Sequence, residues 1–284
     1  MILFFENGRL GNQLFQYSGL RKYFPDQNLI FFGCEDLKKT FDNIEIRFIS
    51  KRQELEKFHF RILRIIFLLL AKVRVFGKIT HSIGKKTFKV AVQPSFLLNV
   101  YIADSIFFQH QDCTKNLSVV PVLKKKILKF AEDWLKKKNF LSFKKQMVFV
   151  HIRRGDYLTW PFTKFPAFVD INWYRLAMLK IKKKINKPIF IIMSDDLSYV
   201  RKHFKESNFL IISENQAEVD LAIMSMCSGG ILSPSSFAWW GAFMARLKKI
   251  DKVNTYFICP KFWAGHRLKK WFPAYFYTNW ISYI

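Results

Sequence analysis

The second half of the chain alternates short apolar runs with stretches of helical spacing, and this order constrains the fold more than any other feature. Residues 147–152 and 188–193 are rich in β-branched and aromatic side chains and predict buried strands, while residues 173–185 between them predict a helix. The order continues with predicted helices at 197–204, 218–227 and 237–247 and predicted strands at 210–212, 230–232 and 256–258. Such alternation is typical of a parallel sheet with right-handed crossovers, so we predict a doubly wound α/β fold.

The first residues predict a unit of the same class. They read as a strand at 2–5, a glycine-bearing turn at 8–11, a helix at 14–24 and a strand at 28–32. Residues 122–138 have helical apolar spacing and are expected to link the two halves, whereas residues 36–89 are helix-like without a clear pattern. We therefore expect one domain at 1–145 and a second at 146–284 that ends in a C-terminal tail.

The charge balance favours anionic partners. The chain of 284 residues has 47 Lys and Arg against 21 Asp and Glu, a formal net charge of +26, which suits nucleotides, phosphate esters, nucleic acid or an anionic membrane. A basic nucleic-acid-binding protein is therefore one alternative, although the sequence has no helix-turn-helix, RRM signature or zinc finger. The four cysteines show no paired spacing, and Glu6 follows the first apolar residues directly, so we expect a cytoplasmic protein with reduced thiols and no signal peptide.

The longest apolar run, residues 65–71, is far shorter than the roughly 20 residues that cross a bilayer. Basic residues flank this run at Arg61, Arg64, Lys72 and Arg74. Two readings stay open. The run is either a core helix with solvated basic ends or a segment that lies on an anionic bilayer, which would make the protein peripheral at the inner face of the cytoplasmic membrane.

The heptapeptide His151-Ile-Arg-Arg-Gly-Asp-Tyr157 follows the strand predicted at 147–152. Ligands of open α/β sheets bind beyond the carboxyl ends of the strands, and the planar guanidinium of arginine matches phosphate oxygens. His151, Arg153, Arg154 and Asp156 therefore predict a site for a diphosphate-bearing ligand. The alternative is that the two arginines pair with surface carboxylates.

Three further segments carry candidate ligand-binding groups. Gly8-Arg-Leu-Gly-Asn-Gln13 lies between a predicted strand and helix, where glycine allows a tight turn and Gly11 and Asn12 could meet a ligand. Ser235 and Ser236 precede a predicted helix and form either an anion cradle or a simple helix cap. Asp195, which follows another strand, either accepts hydrogen bonds from a base or ribose or caps the next helix.

The sequence shows no pattern of metal ligands. It contains no HExxH motif, EF-hand loop or DxD triplet, and His203 and His266 have no partner at metal-binding spacing. We therefore expect neither a metal nor a cofactor.

Taken together, these segments resemble those of the bacterial and animal α-1,2-fucosyltransferases, which are of the glycosyltransferase family 11 type. The order and spacing agree from end to end, and one departure is Pro234, where bacterial members often carry Asn. The matching elements are Gly8-Arg-Leu-Gly-Asn-Gln13, His151-Ile-Arg-Arg-Gly-Asp-Tyr157, Asp220-Leu-Ala-Ile-Met-Ser-Met-Cys227, Ser235-Ser-Phe-Ala-Trp-Trp-Gly-Ala242, Pro260-Lys-Phe-Trp263 and Trp280.

The resemblance implies a GT-B-like fold, in which an acceptor-side Rossmann-like domain and a GDP-sugar-binding Rossmann-like domain face a cleft. It implies inverting, metal-independent transfer of L-fucose from GDP-L-fucose to the 2-hydroxyl of a terminal galactose on an oligosaccharide or lipid-linked glycan, as in O-antigen or surface glycan biosynthesis. An α-1,6 or protein O-linked fucosyltransferase is an alternative, because those families share the arginine loop in looser form.

Residue roles also follow from the resemblance alone. It implies that Arg154 grips the β-phosphate of the donor, that His151, Arg153 and Asp156 shape the same loop, and that Ser235 and Ser236 meet the phosphates. Asn12 is implied at the junction of donor and acceptor. Asp156 is the candidate general base, unless a phosphate oxygen takes the proton.

Overall fold

The structure, a computed structural model, describes residues 1–50, 54–83, 87–104, 106–115, 120–140, 146–248, 255–270 and 277–284, with the backbone alone for 54–57 and 83. The chain forms two compact units, Met1–Leu123 and Lys124–Ile284. This division differs from the predicted one at 145/146, where residue 145 lies outside the described residues. The helix predicted to link the halves belongs to the second unit, because it packs there against a helix at 217–224.

The first unit is built on a six-stranded sheet. Its elements in chain order are β1 (Ile2–Phe5), α1 (Leu10–Tyr23), β2 (Leu29–Phe32), α2 (Glu35–Thr40), β3 (Arg47–Ile49), α3 (Glu54–Lys72), β4 (Gly77–Ile83), β5 (Phe88–Gln93), β6 (Tyr101–Ala103) and α4 (Gln111–Thr114). The strand order is β3-β2-β1-β6-β4-β5, and every neighbouring pair is parallel except β4 and β5.

Apolar side chains on the strands of this sheet form a hydrophobic core with α3. Leu3, Phe5 and Phe32 are buried against one face of α3, and the rings of Phe5 and Phe32 stack with their centroids 4.4 Å apart. The unclear pattern at 36–89 also has an explanation. The described part of this stretch contains most of α2, the short parallel strand β3, the helix α3 and the start of an antiparallel hairpin that ends at Gln93, rather than regularly repeated βα units.

The second unit is the α/β alternation that the sequence predicts. It comprises α5 (Lys125–Lys137), β7 (Met147–Ile152), β8 (Pro161–Phe162), β9 (Phe165–Pro166), α6 (Ile171–Lys182), β10 (Ile189–Ser194), α7 (Leu197–His203), β11 (Leu210–Ile212), α8 (Ala217–Met224), β12 (Gly229–Ile231), α9 (Ser236–Leu247), β13 (Tyr256–Cys259), α10 (Gly265–Leu268) and β14 (Ile281–Tyr283). A short 3-10 helix, Gly155–Leu158, precedes the β8–β9 hairpin.

The sheet of the second unit has the order β11-β10-β7-β12-β13-β14, and all of its neighbouring pairs are parallel. Every residue of β7 is buried, which follows from its position near the middle of the sheet with helices on both faces. The predicted doubly wound α/β class is thereby confirmed. Because parallel strands end at the same edge, the residues after β7, β10 and β12 are brought together there.

Candidate functional site at the carboxyl ends of β7, β10 and β12

The ends of β7 and β10 place two arginines beside two aspartates. Ile152 and Ser194 are register partners in the sheet, so Arg153 and Arg154 leave β7 next to Asp195 and Asp196. The Ser194 hydroxyl donates a hydrogen bond to the Ile152 carbonyl oxygen at 2.8 Å, which holds the two strand ends together. This edge of the sheet therefore carries both arginines of the predicted diphosphate site, each close to an aspartate.

Arg153 pairs with one carboxylate of its own loop, Asp156, and with one that follows β10, Asp195. Its Nη1 lies 2.9 Å from Asp195 Oδ2, and its Nη2 donates to Asp156 Oδ1 at 2.5 Å. The alternative, that the two arginines pair with carboxylates, is thus what the structure shows for Arg153, and Arg154 also forms an ion pair, with Asp196. These contacts organise the loop and hold the positive charge of Arg153 at the strand end.

Arg154 is held differently, through its backbone and the inner part of its guanidinium. Its backbone N–H donates to Asp195 Oδ1 at 2.8 Å, and its Nε donates to Asp196 Oδ2 at 3.0 Å. The guanidinium carbon lies 3.7 Å from the centroid of the Tyr199 ring, a stacked arrangement that suits arginine. Both contacts orient the planar group without using its terminal nitrogens.

Asp196 both caps α7 and forms an ion pair with Arg154. It caps α7, because its Oδ1 accepts hydrogen bonds from the Tyr199 backbone N–H and the Ser198 hydroxyl, both at 2.9 Å. The Tyr199 N–H bond is the largest cause that holds the pKa of Asp196 below its usual value, followed by contacts with Ser198 and Arg154. Asp196 therefore stays charged and pairs with Arg154 at ordinary pH.

Asp195 was predicted to bind a base or ribose. Both of its carboxylate oxygens contact the arginine loop: Oδ1 accepts from the Arg154 backbone N–H, and Oδ2 pairs with Arg153. Its close approach depends on Gly155, where a Cβ atom would lie 2.5 Å from Asp195 Oδ2. The glycine of the heptapeptide is thus explained by packing against this carboxylate. A ligand hydroxyl would have to share the oxygens of Asp195 with Arg153 and Arg154.

His151, predicted among the catalytic residues, is buried at the end of β7. Its Nδ1 lies 2.6 Å from the Ser233 hydroxyl, and burial together with the charge of Arg153 lowers its pKa to about 3. The imidazole is therefore neutral at ordinary pH. From the other side, the Tyr157 hydroxyl donates to the Pro234 carbonyl at 2.6 Å, so that His151 and Tyr157 fix the turn leading into α9.

Ser235 and Ser236 stand at the start of α9, as predicted. Ser235 is the N-cap residue, yet its side chain makes no capping hydrogen bond, so simple capping does not account for it. The helix N-terminus beyond it presents backbone N–H groups at the same edge of the sheet as Arg154. The aromatics Trp239 and Trp240 are buried, as expected of core residues.

Gly11 and Asn12 lie in the first unit. α1 begins at Leu10 rather than at residue 14, so both residues are in its first turn. Asn12 Oδ1 accepts a hydrogen bond from Gln109 Nε2 at 2.8 Å. Gly8 has φ +87°, and a Cβ there would lie 2.3 Å from Asn12 Nδ2, which explains why the turn needs glycine.

Sequence reasoning missed three features of the site. Tyr199 stacks on Arg154, and the Phe168 ring is close to both Arg154 and Arg267, whose guanidinium carbons lie 5.4 and 4.7 Å from its centroid. No sequence spacing links these positions. Asp220 was noted only as part of a matching element, and its burial was not anticipated.

Asp220 sits in α8 beside the carboxyl end of β11. Its Oδ1 accepts a hydrogen bond from the Ser213 hydroxyl at 2.5 Å, and the residue is 8% exposed. Burial raises the pKa of Asp220 to about 7, against the opposing effect of the Ser213 hydrogen bond. This carboxyl group therefore changes charge near neutral pH.

Within the described ranges, no group of three or more His, Cys, Asp or Glu side chains is arranged to hold a metal ion. Across the same residues, no helix combines the length and apolarity that crossing a bilayer requires.

Comparison with known sequences gives one family over almost the entire chain. The model of glycosyl transferase family 11 matches residues 4–283. The O-antigen biosynthesis glycosyltransferase WbnK of Escherichia coli is 25% identical, covering 93% of this chain and 95% of its own. An α-1,2-colitosyltransferase of Escherichia coli is also 25% identical, covering 90% and 96%. The bovine galactoside 2-α-L-fucosyltransferase SEC1 is 25% identical over 47% of this chain and 37% of its own.

Solved structures resemble the fold. A glycosyl transferase of family 9 from Veillonella parvula superposes with a TM-score of 0.52 at 12% identity, covering 91% of this chain and 80% of the other. POFUT1 in complex with GDP gives a TM-score of 0.52 at 15% identity, covering 90% and 97%. Together with the two α/β units, one with a mostly parallel sheet and one with a fully parallel sheet, these likenesses confirm the predicted GT-B-like fold class.

Proposed function

This chain is a member of glycosyl transferase family 11, and from that premise we propose that it transfers L-fucose from GDP-L-fucose to the 2-hydroxyl of a terminal galactose on a glycan. The observation that carries the proposal is the orientation of Arg154 by Asp196 and Tyr199 at the carboxyl end of β7. Relatives in O-antigen biosynthesis and among galactoside fucosyltransferases support this acceptor class.

In the proposed reaction, the protein must stabilise GDP as the leaving group. As the sugar departs with oxocarbenium character, negative charge grows on the GDP diphosphate, and fixed cations and helix N-termini can stabilise it. Arg154 supplies a permanent charge with a fork that matches two phosphate oxygens. Ser235, Ser236 and the backbone N–H groups at the start of α9 would bind the same diphosphate.

Inversion by a single displacement requires a proton acceptor near the galactose hydroxyl. Asp156 is the candidate, because its side chain is 58% exposed while one oxygen meets Arg153. His151 is a weaker candidate for the proton acceptor, since it is buried and its Nδ1 is hydrogen-bonded to the Ser233 hydroxyl. Gly11 and Asn12 are proposed to contact ligand from the first unit.

A second donor deserves a direct comparison. The α-1,2-colitosyltransferase matches this chain over 90% of its length at the same identity as the O-antigen enzyme. A colitose donor is therefore the second candidate. The family match over residues 4–283 favours either transferase over the nucleic-acid-binding alternative.

The test is incubation of the purified chain with GDP-L-fucose or GDP-colitose and a panel of galactose-ended oligosaccharides, followed by linkage analysis of the product. We expect an α-1,2-linked fucosyl product and thermal stabilisation by GDP but not by ADP or UDP. Transfer from the colitose donor alone would replace the donor assignment. Absence of transfer from both donors, without stabilisation by GDP, would overturn the proposed function.

A further inference from the structure

Helix α3 is apolar on two faces, and only one of them is covered. Its inner face packs on the sheet of the first unit through Leu63, Phe67 and Ala71. The outer face carries six large apolar side chains with exposed fractions between 40% and 66%, which recur every three to four residues and so form one stripe. These residues are Phe58, Ile62, Ile65, Ile66, Leu69 and Val73.

The loop between β5 and β6 extends this stripe. Phe96, Leu97 and Leu98 are exposed at 69%, 74% and 48%. The loop is fixed to the end of the helix, because the Phe96 backbone N–H donates to the Arg74 carbonyl at 2.9 Å and the Ser95 hydroxyl donates to the Val75 carbonyl at 2.6 Å. We call the outer stripe and this loop the α3 surface.

The charge around the α3 surface is predominantly positive, and the acid Asp104, which lines a recess beside it, is paired with Arg64, whose Nη2 lies 2.6 Å from Asp104 Oδ1. Residues 58–98 contain eight Lys and Arg and no Asp or Glu. Of these, Arg61, Lys72, Arg74 and Lys89 are exposed in the described ranges. A recess of about 480 Å³ opens beside the stripe, where Lys72 and Lys78 meet the apolar Leu69. An apolar stripe rimmed by cations matches the boundary between lipid tails and anionic headgroups.

We propose that the α3 surface binds an anionic phospholipid bilayer, with α3 lying in the plane of the interface. The apolar stripe would enter the headgroup boundary and leave water, and the rim of basic side chains would pair with lipid phosphates. A second copy of the chain fits the surface less well. In a two-fold contact through the same face, the exposed cations would meet like charges across the interface, and the nearby Asp104 is already paired with Arg64.

The test is flotation of the full chain with vesicles of phosphatidylcholine alone or mixed with phosphatidylglycerol, at low and high salt. The double variant Phe96→Ser/Leu97→Ser alters only the exposed loop. The matched control is Leu179→Ser/Phe209→Ser, which removes two apolar side chains exposed at 57% each in the second unit.

We expect binding to phosphatidylglycerol vesicles that weakens with salt, at least a tenfold loss of partitioning in the loop variant, and no loss in the control. Stabilisation by GDP should be the same in all three proteins, which separates this inference from the proposed function. Absence of flotation at low salt, or equal flotation of both variants, would overturn it. A dimer that forms without lipid and is lost in the loop variant would assign the surface to a second copy instead.

Discussion

Asp196 Oδ2 accepts a hydrogen bond from Arg154 Nε at 3.0 Å, across 42 residues of sequence. This contact ties the inner edge of the guanidinium and leaves the fork of Nη1 and Nη2 without a hydrogen bond within the described ranges. The fork is the part of arginine that binds phosphate through two parallel bonds. Asp196 therefore fixes the direction of the Arg154 guanidinium in addition to balancing its charge.

Replacing Asp196 by Asn should distinguish its charge interaction with Arg154 from its role as the N-cap of α7. Asparagine caps helices as well as aspartate does, so α7 should keep its start, while the ion pair with Arg154 is lost. A hydrogen bond to a charged group contributes about 1.5–3 kcal/mol, and at this partly exposed site we expect the lower end, a roughly tenfold fall in kcat. Asp170→Asn, at the N-cap of α6, is the matched control and should leave kcat unchanged. Equal activity of both variants would remove Asp196 from the mechanism.

Arg154→Lys should lose transfer although it keeps the charge. Lysine offers a point charge instead of a fork, and it would not stack on Tyr199 in the same way. Loss of one preorganised donor commonly costs about 100- to 1,000-fold in turnover, and we expect a fall of that size in kcat with GDP-L-fucose. Arg201→Lys on the exposed side of α7 is the control. Near-normal turnover of Arg154→Lys would contradict the role given to the fork.

Asp156→Asn tests the general base. If Asp156 takes the proton, the variant should bind GDP as the unaltered protein does and lose transfer by about 100-fold or more. Its pairing with Arg153 is the competing role, but Arg153 also contacts Asp195 and should stay in place. The readouts are initial rates and a GDP titration, with the exposed Asp133→Asn as control. Parallel loss of GDP affinity and turnover would show that Asp156 only supports the loop.

Asp220 should make stability depend on pH. Its pKa is raised from 3.8 to about 7 in the folded state, so between these values the folded protein holds a proton that the unfolded chain has released. Stability contributed by the protonated group is therefore present below about pH 4 and is lost as pH rises toward 7. Asp220→Asn should gain stability relative to the unaltered protein across this window, by a few kcal/mol at about 1.4 kcal/mol per pKa unit. Urea unfolding at pH 4 to 8 measures the difference, and a constant difference would contradict the raised pKa.

The fold of the second unit was predictable because its longer strands and helices have local signals, whereas the short elements β8, β9, α10 and β14 were not predicted. Strands such as β7 and β10 are short β-branched runs, and helices such as α6 keep their apolar period. The sequence predicts the start of α1 four residues too late, because its N-cap residue is Arg9, which makes no side-chain capping hydrogen bond. In the region around α3, the antiparallel β4–β5 hairpin interrupts the alternation of strands and helices. No local sequence pattern predicts this hairpin.

The site was predictable in part for the same reason. Arg153, Arg154 and Ser235 follow strands, and the strand ends of a parallel sheet share one edge. The partners of these residues could not be read from spacing. Whether Arg154 meets Asp195, Asp196 or a ligand depends on the register between β7 and β10 and on the direction of α7, which are properties of the packed sheet.

The most direct test of the central claim is a crystal structure of the protein with GDP bound. The account predicts that Nη1 and Nη2 of Arg154 lie within hydrogen-bond distance of the β-phosphate while Nε remains on Asp196. A nucleotide bound away from the end of β7, with Arg154 turned only toward Asp196, would contradict it.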